Sequence, residues 1–387
     1  MRRETLARYG YLRKPWHTSA SLRNGVRHWT PEHLLGAVCA CTPALSDESP
    51  LGAPTHPTLK DSSYYWGLYM TPAIGVDIGG TKVLAVRLSP TGEVEAWSKL
   101  RTPVGAGDVI DTVLVGVAQV AEGAGERLGS LPLGVGFPGM LDRDGTAHFC
   151  PHLHSVDGMD LRQLLAERRD PSATTVVLND ATAACWAEHS VGAAQGFDDV
   201  LMVTLGTGIG GGIVTRGRLL EGAHGFAGEI GHMVIDPHGP PCPCGKRGCW
   251  ERFASGDGLG RLAREAALAG KLDCATKRAG DDPDAVRGEH VTEAALDGHP
   301  EALAVMREFA WWLALGLANL SNVLDPSVIV LGGGLIEAEQ AVMGPLRDAF
   351  ANLVEAPEAR KIEVVAAQLG EKAGAVGAAL LAAQRTS

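Results

Sequence analysis

From residue 73 onward, apolar and polar positions alternate between short buried strands and helices. "AIGV" leads through "DIGGTK" into "VLAVRL", a strand, a glycine-rich turn and a second strand, and "EVEAWSKL" supplies a third. Helical spacing follows over 107–128, and "LGVGF" and "TTVVLN" return to continuous apolar strands. "ATAACWAEHSVG" reads as a helix that stops at Gly192. The pattern then repeats: "VLMVTLG", "TGIGG" and "GIVTRG" again form strand, glycine turn and strand. Helices are predicted near 255–269 and 301–323, a buried strand at "SVIVLGGG", a helix near 336–351, a strand at "KIEVVAA" and a terminal helix over 371–385. Two halves that each open on a β-hairpin with a glycine turn imply a duplicated α/β architecture with a cleft between them.

Composition narrows the function. The 387 residues suffice for two domains, and a net charge of -11 argues against a nucleic-acid binder that works through bulk electrostatics. Absence of an apolar run near the ~18 residues of a membrane span, with only the short, Gly- and Pro-broken "LLGAVCACTPAL" resembling a leader, points to a cytoplasmic protein with no membrane partner. Residues 1–69 are Arg-rich at the front, then irregular and rich in Pro, Ser and Thr. They read as a disordered extension, or as translation from a start upstream of Met70.

Glycine turns let backbone N–H groups approach a phosphate closely. "GVGFPG" and "GTGIGG" both satisfy G-x-G-x-x-G, but "GTGIGG" runs into a strand rather than a helix, which rejects a dinucleotide site, and no Walker A loop is present. Asp77 ends a strand ahead of Gly79, Gly80, Thr81 and Lys82, a place where a carboxylate can hold hydrated Mg²⁺ while the hydroxyl and amides meet phosphate oxygens. Gly206, Thr207 and Gly208 offer a matching cradle on the second hairpin. One such hairpin is a tight turn and nothing more; two favour a phosphate held between them.

Asn179 and Asp180 emerge where a buried strand turns into a helix, a usual place for ligand groups in α/β proteins. Asp180 fits equally well as the N-cap of that helix. Cys242, Cys244 and Cys249 lie within eight positions, and with one histidine they suit a tetrahedral zinc site; His224, His232 and His238 are rival fourth ligands. The histidines of "HFCPHLH" (His148, His152, His154) read as a solvated loop rather than a second metal site, and Cys39, Cys41, Cys150, Cys185 and Cys274 as ordinary small residues.

In order along the chain, "DIGGTK", "GFPG", "NDATAA", "LGTGIGGG", "GAHGFAGEIGHMVID", "CPCGKRGCWE" and "VIVLGGGL" resemble the ROK sugar kinases, and among them the ATP-dependent glucokinases of actinobacteria. The resemblance covers about residues 73–385. It implies two ribonuclease-H-like domains of the actin and hexokinase type around a central cleft, a small one of residues 70–183 plus 373–387 and a large one of 184–372. It implies glucose and ATP-Mg²⁺ as substrates and a homodimer or homotetramer, while the net charge of -11 speaks against a nucleic-acid partner.

Matched residue by residue, the resemblance makes Asp180 the general base that takes the proton of the sugar 6-hydroxyl. Asn179, Glu229, His232 and Glu251 match positions that hold the other hydroxyls, with Gly139 lining the same pocket. Asp77, Gly79, Gly80, Thr81 and Lys82 match one phosphate motif, Gly206, Thr207 and Gly208 the second, and Gly333 and Gly334 the glycines near the adenosine. The family's cysteine pattern selects His232 as fourth ligand of a structural zinc. Thr182 departs from the Asn more often found there, at a position that starts the helix. The rivals are a kinase for another hexose or N-acetylhexosamine, polyphosphate as donor, and a sugar-responsive repressor, which would carry a winged-helix domain in place of residues 1–69. Asp180 favours catalysis over repression.

Overall fold

The computed structural model describes residues 70–122, 130–150 and 153–386. Expectations for residues 1–69, including Cys39 and Cys41, and for His152 lie outside the described residues. The strands are β1 (Ala73–Ile78), β2 (Lys82–Leu88), β3 (Val94–Arg101), β4 (Leu133–Phe137), β5 (Met140–Leu141), β6 (Ala147–Phe149), β7 (Thr175–Asn179), β8 (Val200–Leu205), β9 (Ile209–Thr215), β10 (Arg218–Leu219), β11 (Val328–Gly332) and β12 (Glu363–Ala366). The helices are α1 (Ala106–Ala121), α2 (Leu161–Ala166), α3 (Asp180–Val191), α4 (Glu251–Ala254), α5 (Gly256–Leu268), α6 (Asp273–Arg278), α7 (Gly288–Leu296), α8 (Pro300–Leu324), α9 (Glu339–Leu353), α10 (Pro357–Arg360) and α11 (Ala373–Gln384). The helix predicted over 107–128 ends earlier, at Ala121, because Glu122 leaves helical geometry with ψ of 133°.

Two five-stranded sheets have the orders β3-β2-β1-β4-β7 and β10-β9-β8-β11-β12. In each, the first three strands in sequence form an antiparallel meander and the next two add in parallel. The identical order and sense in both sheets confirm the expected duplication as two ribonuclease-H-like layers of the actin and hexokinase type.

The helices that follow the sheets exchange places. α3, which leaves the first sheet, packs on β8 and β9 of the second, and α11, which leaves the second, packs on β1 and β4 of the first. The two helices also pack on each other. Their shared core includes Leu84, Val176, Ala183, Ala187, Met202 and Val330, with Ala375, Ala379 and Ala382 of α11. Small residues make this crossing possible. A Cβ on Gly75 or Gly134 would collide with the Ala375 or Ala378 carbonyl of α11, and one on Gly377 would collide with the Ala183 carbonyl of α3. Gly377→Ala should therefore lower the unfolding free energy by about 3 kcal/mol, the upper end of overpacking costs, as read from denaturant midpoints. A loss below 0.5 kcal/mol would show that the crossing tolerates a methyl group.

α5, α7, α8 and α9 cover the other side of the second sheet around Trp250, Phe309 and Leu313. α1 and α2 cover the first around Val113, Phe137 and Leu161. Among the described residues no helix is long and apolar enough to cross a membrane.

Candidate active site

β7 delivers Asn179 and Asp180 to the cleft in different roles. Asn179 holds extended geometry (φ -63°, ψ 142°), and its Oδ1 accepts the Thr182 N–H at 3.0 Å, so Asn179 is the N-cap of α3. Its Nδ2 donates to the Gly139 carbonyl at 3.2 Å, tying the helix start to the β4–β5 turn. The N-cap role open to Asp180 in the sequence thus falls to its neighbour. Asp180 is the first residue of α3, accepts the Ala181 N–H at 2.8 Å through Oδ1, and lines the cavity. Thr182 is nearly buried and meets Asn179 through its backbone.

The cavity has a volume of about 630 Å³, within the usual range of ligand sites. Its lining includes Asp77, Lys82 and Asp180, Gly333 and Gly334, and the segment around Gly370 and Glu371. Asp77 ends β1 close to Asp180. A Cβ on the intervening Gly136 would stand 3.3 Å from Asp77 Oδ1 and 3.4 Å from Asp180 Cα. Burial pushes Asp77 up to about 7, with the Asp180 charge adding to the rise and Lys82 opposing it. Burial likewise pushes Asp180 up to about 6, against the pull of the Ala181 N–H. Two half-buried carboxylates facing one cavity form a site for cations and for proton transfer.

Lys82 points along the rim, where its Nζ lies 2.6 Å from Glu371 Oε2; Lys99 reaches the same oxygen at 2.9 Å. Bonds from both lysines hold the Glu371 carboxyl down at about 2. The two glycine hairpins close as the sequence suggests. Gly79 N–H donates to the Lys82 carbonyl at 2.8 Å, and Gly206 N–H to the Gly208 carbonyl at 3.1 Å. The second tip docks on the start of α5 through Gly256 N–H, 2.8 Å from the Gly206 carbonyl. Asp77, Lys82, Gly333 and Gly334 line the cavity, whereas Gly79, Gly80, Thr81, Gly206, Thr207 and Gly208 lie outside its lining. At the end of β11, Gly333 has φ of +90°, and a Cβ there would strike the Leu205 carbonyl.

The remaining acids gather beside Asp180. Burial raises Glu229 to about 7, with the charges of Asp180 and Glu251 adding to it. His232 joins them, its Nε2 4.0 Å from Glu229 Oε2 and its Nδ1 3.5 Å from Glu251 Oε1. Nδ1 also lies 3.7 Å from Cys242 Sγ, and Cys244 Sγ lies 3.6 Å from Cys249 Sγ. The ligand atoms of His232, Cys242, Cys244 and Cys249 all fall within 4.8 Å of one another. A tetrahedral zinc with bonds of 2.0–2.3 Å has ligand–ligand edges of about 3.5–3.8 Å, so the donor set fits that ion through Nδ1. His224 and His238 stand outside the cluster.

Backbone bonds fasten the cluster to the site. Trp250 N–H donates to the Met233 carbonyl at 2.8 Å, and Cys249 bridges Val234. Glu251 Oε1 lies 3.0 Å from Cys242 Sγ, and Glu251 follows the ligand Cys249 by two residues. The clip and the carboxylate are therefore one unit. His148 pairs with Asp142 at 2.8 Å and meets the Phe226 ring edge-on, away from the cysteines.

Two carboxylates that the motifs did not mark also shape the cavity. Glu371 holds Lys82, and Glu188 anchors the backbone of the same segment. A lone acid inside the alanine-rich helix "ATAACWAEHSVG" was the available signal for Glu188.

Comparison with known proteins gives a consistent picture. The chain is 38% identical over 316 residues to the glucokinase of Streptomyces coelicolor, covering 80% of this chain and 96% of that protein. A ROK family glucokinase from Streptomyces griseus, solved in complex with glucose and AMPPNP, is similar with a TM-score of 0.70 and 39% identity over 81% of this chain and 99% of that one. More distant are an N-acetylmannosamine kinase of Escherichia coli O157:H7, 32% identical over 80% of this chain and 97% of that protein, and a xylose repressor of Bacillus subtilis, 26% identical over 79% and 75%. The model of the ROK family matches residues 73–385, a span that holds both glycine hairpins, Asp180 and the cysteine cluster, and the chain belongs to that family.

Proposed function

We propose that this protein is an ATP-dependent kinase that phosphorylates glucose at its 6-hydroxyl. The observation that carries the reading is the placement of Asp180, a half-buried carboxylate relieved of capping duty by Asn179 and open to a cavity that also holds Asp77. Phosphoryl transfer needs positioning, charge neutralisation and a base for the attacking hydroxyl. Asp180 is that base: the hydroxyl proton passes to its carboxylate as the new O–P bond forms and the bond to the β-phosphate oxygen of ATP breaks. Asp77 would hold Mg²⁺ through water, and the ion supplies neutralisation of the phosphate charge. With the Gly79 and Gly206 N–H groups closing their own hairpins, the amides of Gly80 and Thr81 and of Thr207 and Gly208 would receive phosphate oxygens, and Gly333 and Gly334 the adenosine.

On the sugar side, Asn179, Glu229, His232 and Glu251 read the remaining hydroxyls, with Gly139 beneath. A carboxylate accepts paired hydrogen bonds from neighbouring hydroxyls, and an analogue lacking one leaves a buried acceptor unpaired. Zinc on Nδ1 of His232 would leave Nε2–H as a fixed donor towards the sugar, and the ion itself supplies structure. Return of α11 to the first sheet supports grouping residues 373–387 with 70–183, against 184–372, as two bodies that close on the substrates.

A base must be unprotonated to act, and burial lifts Asp180 to about 6. kcat/KM should therefore rise at least tenfold per pH unit below 6 and level off only above about 7, where Asp77 and Glu229 are ionised as well. A pH–kcat/KM profile flat from 5 to 8 would contradict the assignment. A coupled assay with glucose, mannose, fructose, N-acetylglucosamine and N-acetylmannosamine, each with ATP or polyphosphate, tests the substrate. Preference for glucose with ATP supports the reading, and preference for another sugar or for polyphosphate replaces it. DNA retained by the full chain and released on deletion of residues 1–69 would favour a repressor instead.

A further inference from the structure

Among the described residues Glu188 is the only charged side chain with no exposed surface. It lies on α3, two turns beyond Asp180, and the chemistry above does not use it. Its Oε2 accepts the Ala193 N–H at 2.8 Å and the Gln368 N–H at 3.2 Å, and its Oε1 accepts the Leu369 N–H at 2.8 Å. Gly192 leaves room for the carboxylate, since a Cβ there would collide with it. Burying a carboxylate is unfavourable compared with an apolar side chain of similar size. What this one gains is a fixed backbone at Gln368 and Leu369, a segment 180 residues away that has no regular structure of its own.

That segment is a wall of the cavity. Ala367 N–H donates to the Leu331 carbonyl at 2.8 Å, anchoring one end to β11, and Gly370 and Glu371 line the cavity at the other. Glu371 in turn holds Lys82, and the first turn of α11 sets Gly374 against the Asp77 carboxylate. The wall stands with Gly333 and Gly334, while Glu229, His232 and Glu251 lie outside the lining.

We infer that Glu188 is a positioning residue for the nucleotide: it holds the Gln368–Leu369 backbone so that the wall keeps the shape that receives ATP. The inference rests on the kinase reading of the cavity. Glu188→Gln keeps the shape but sets an N–H₂ group against backbone N–H donors. The variant should raise the KM for ATP at least tenfold, with kcat at saturating ATP within about threefold and the KM for glucose within about twofold. Leu369→Pro removes one of the three donors at a residue whose φ of -85° is near that of proline. It should raise the KM for ATP in the same selective way, and the two changes combined should cost no more than the larger alone.

Unchanged constants in a folded Glu188→Gln variant, an equal rise for both substrates, or effects of the two changes that multiply would each overturn the inference. If Glu188→Gln does not fold, Leu369→Pro decides by the same ATP-against-glucose comparison. Wild-type protein that phosphorylates no sugar with ATP would overturn the kinase reading and this inference together, whereas an active wild type with an indifferent variant overturns the inference alone.

Discussion

Asp180→Asn should lower kcat by about 10²–10⁴-fold, the usual contribution of a positioned base, with the KM values for ATP and glucose within a few-fold of wild type. The variant should also be at least as stable at pH 8. Burial raises the Asp180 pKa in the folded protein to about 6, above the about 3.9 of a free side chain. The folded state therefore disfavours the ionised form, and stability tied to this group is lost as pH rises from about 4 through 6. A neutral amide removes that penalty while Asn179 continues to cap α3. Steady-state kinetics beside thermal unfolding at pH 8 checks both halves. Near-normal turnover would remove Asp180 from the chemistry, and a large drop in stability would mean that the loss reports misfolding.

Cys244→Ser should abolish stoichiometric zinc and weaken the sugar side selectively. Wild-type protein should carry one zinc per chain by elemental analysis. Removing a ligand frees the loop that carries Glu251, whose Oε1 sits 3.0 Å from Cys242 Sγ, and frees His232 beside Glu229. A hydrogen bond to a charged group contributes about 1.5–3 kcal/mol, so misplacing one carboxylate should raise the KM for glucose by about 10–100-fold. The melting temperature should fall too, because a structural metal adds directly to folding free energy. Unchanged glucose affinity in a zinc-free variant would mean that the clip does not support the pocket.

Where the chain signals chemistry locally, the sequence is readable. The repeated strand–turn–strand pattern predicts the duplicated sheets because each hairpin is built from contiguous residues. Asn179 and Asp180 are visible because a strand ends and a helix begins between them. Spacing finds the three cysteines, but the choice of His232 needs either the family pattern or the geometry, since His224 and His238 also lie upstream of the cluster. The division of labour between Asn179 and Asp180 depends on which side chain reaches the Thr182 N–H, and spacing does not contain that.

Glycines misdirect the eye to turns. Gly75 and Gly134 lie within strands and exist for the approach of α11, which comes from the far end of the chain. The exchange of α3 and α11 between the sheets leaves no local mark, because both helices are alanine-rich and would bury against either. Glu188 and Glu371 act on residues 180 and 289 positions away, so their partners appear only when the chain is folded.

The most direct test of the central claim is phosphorus NMR of the product formed by wild-type and Asp180→Asn protein from ATP-Mg²⁺ and an equimolar mixture of glucose and N-acetylmannosamine. The expected result is glucose 6-phosphate and ADP in equal amounts from wild type, and at most about one hundredth of that yield from the folded variant over the same initial-rate interval. No phosphorylated sugar from wild type, or the same yield from both proteins, would contradict the account.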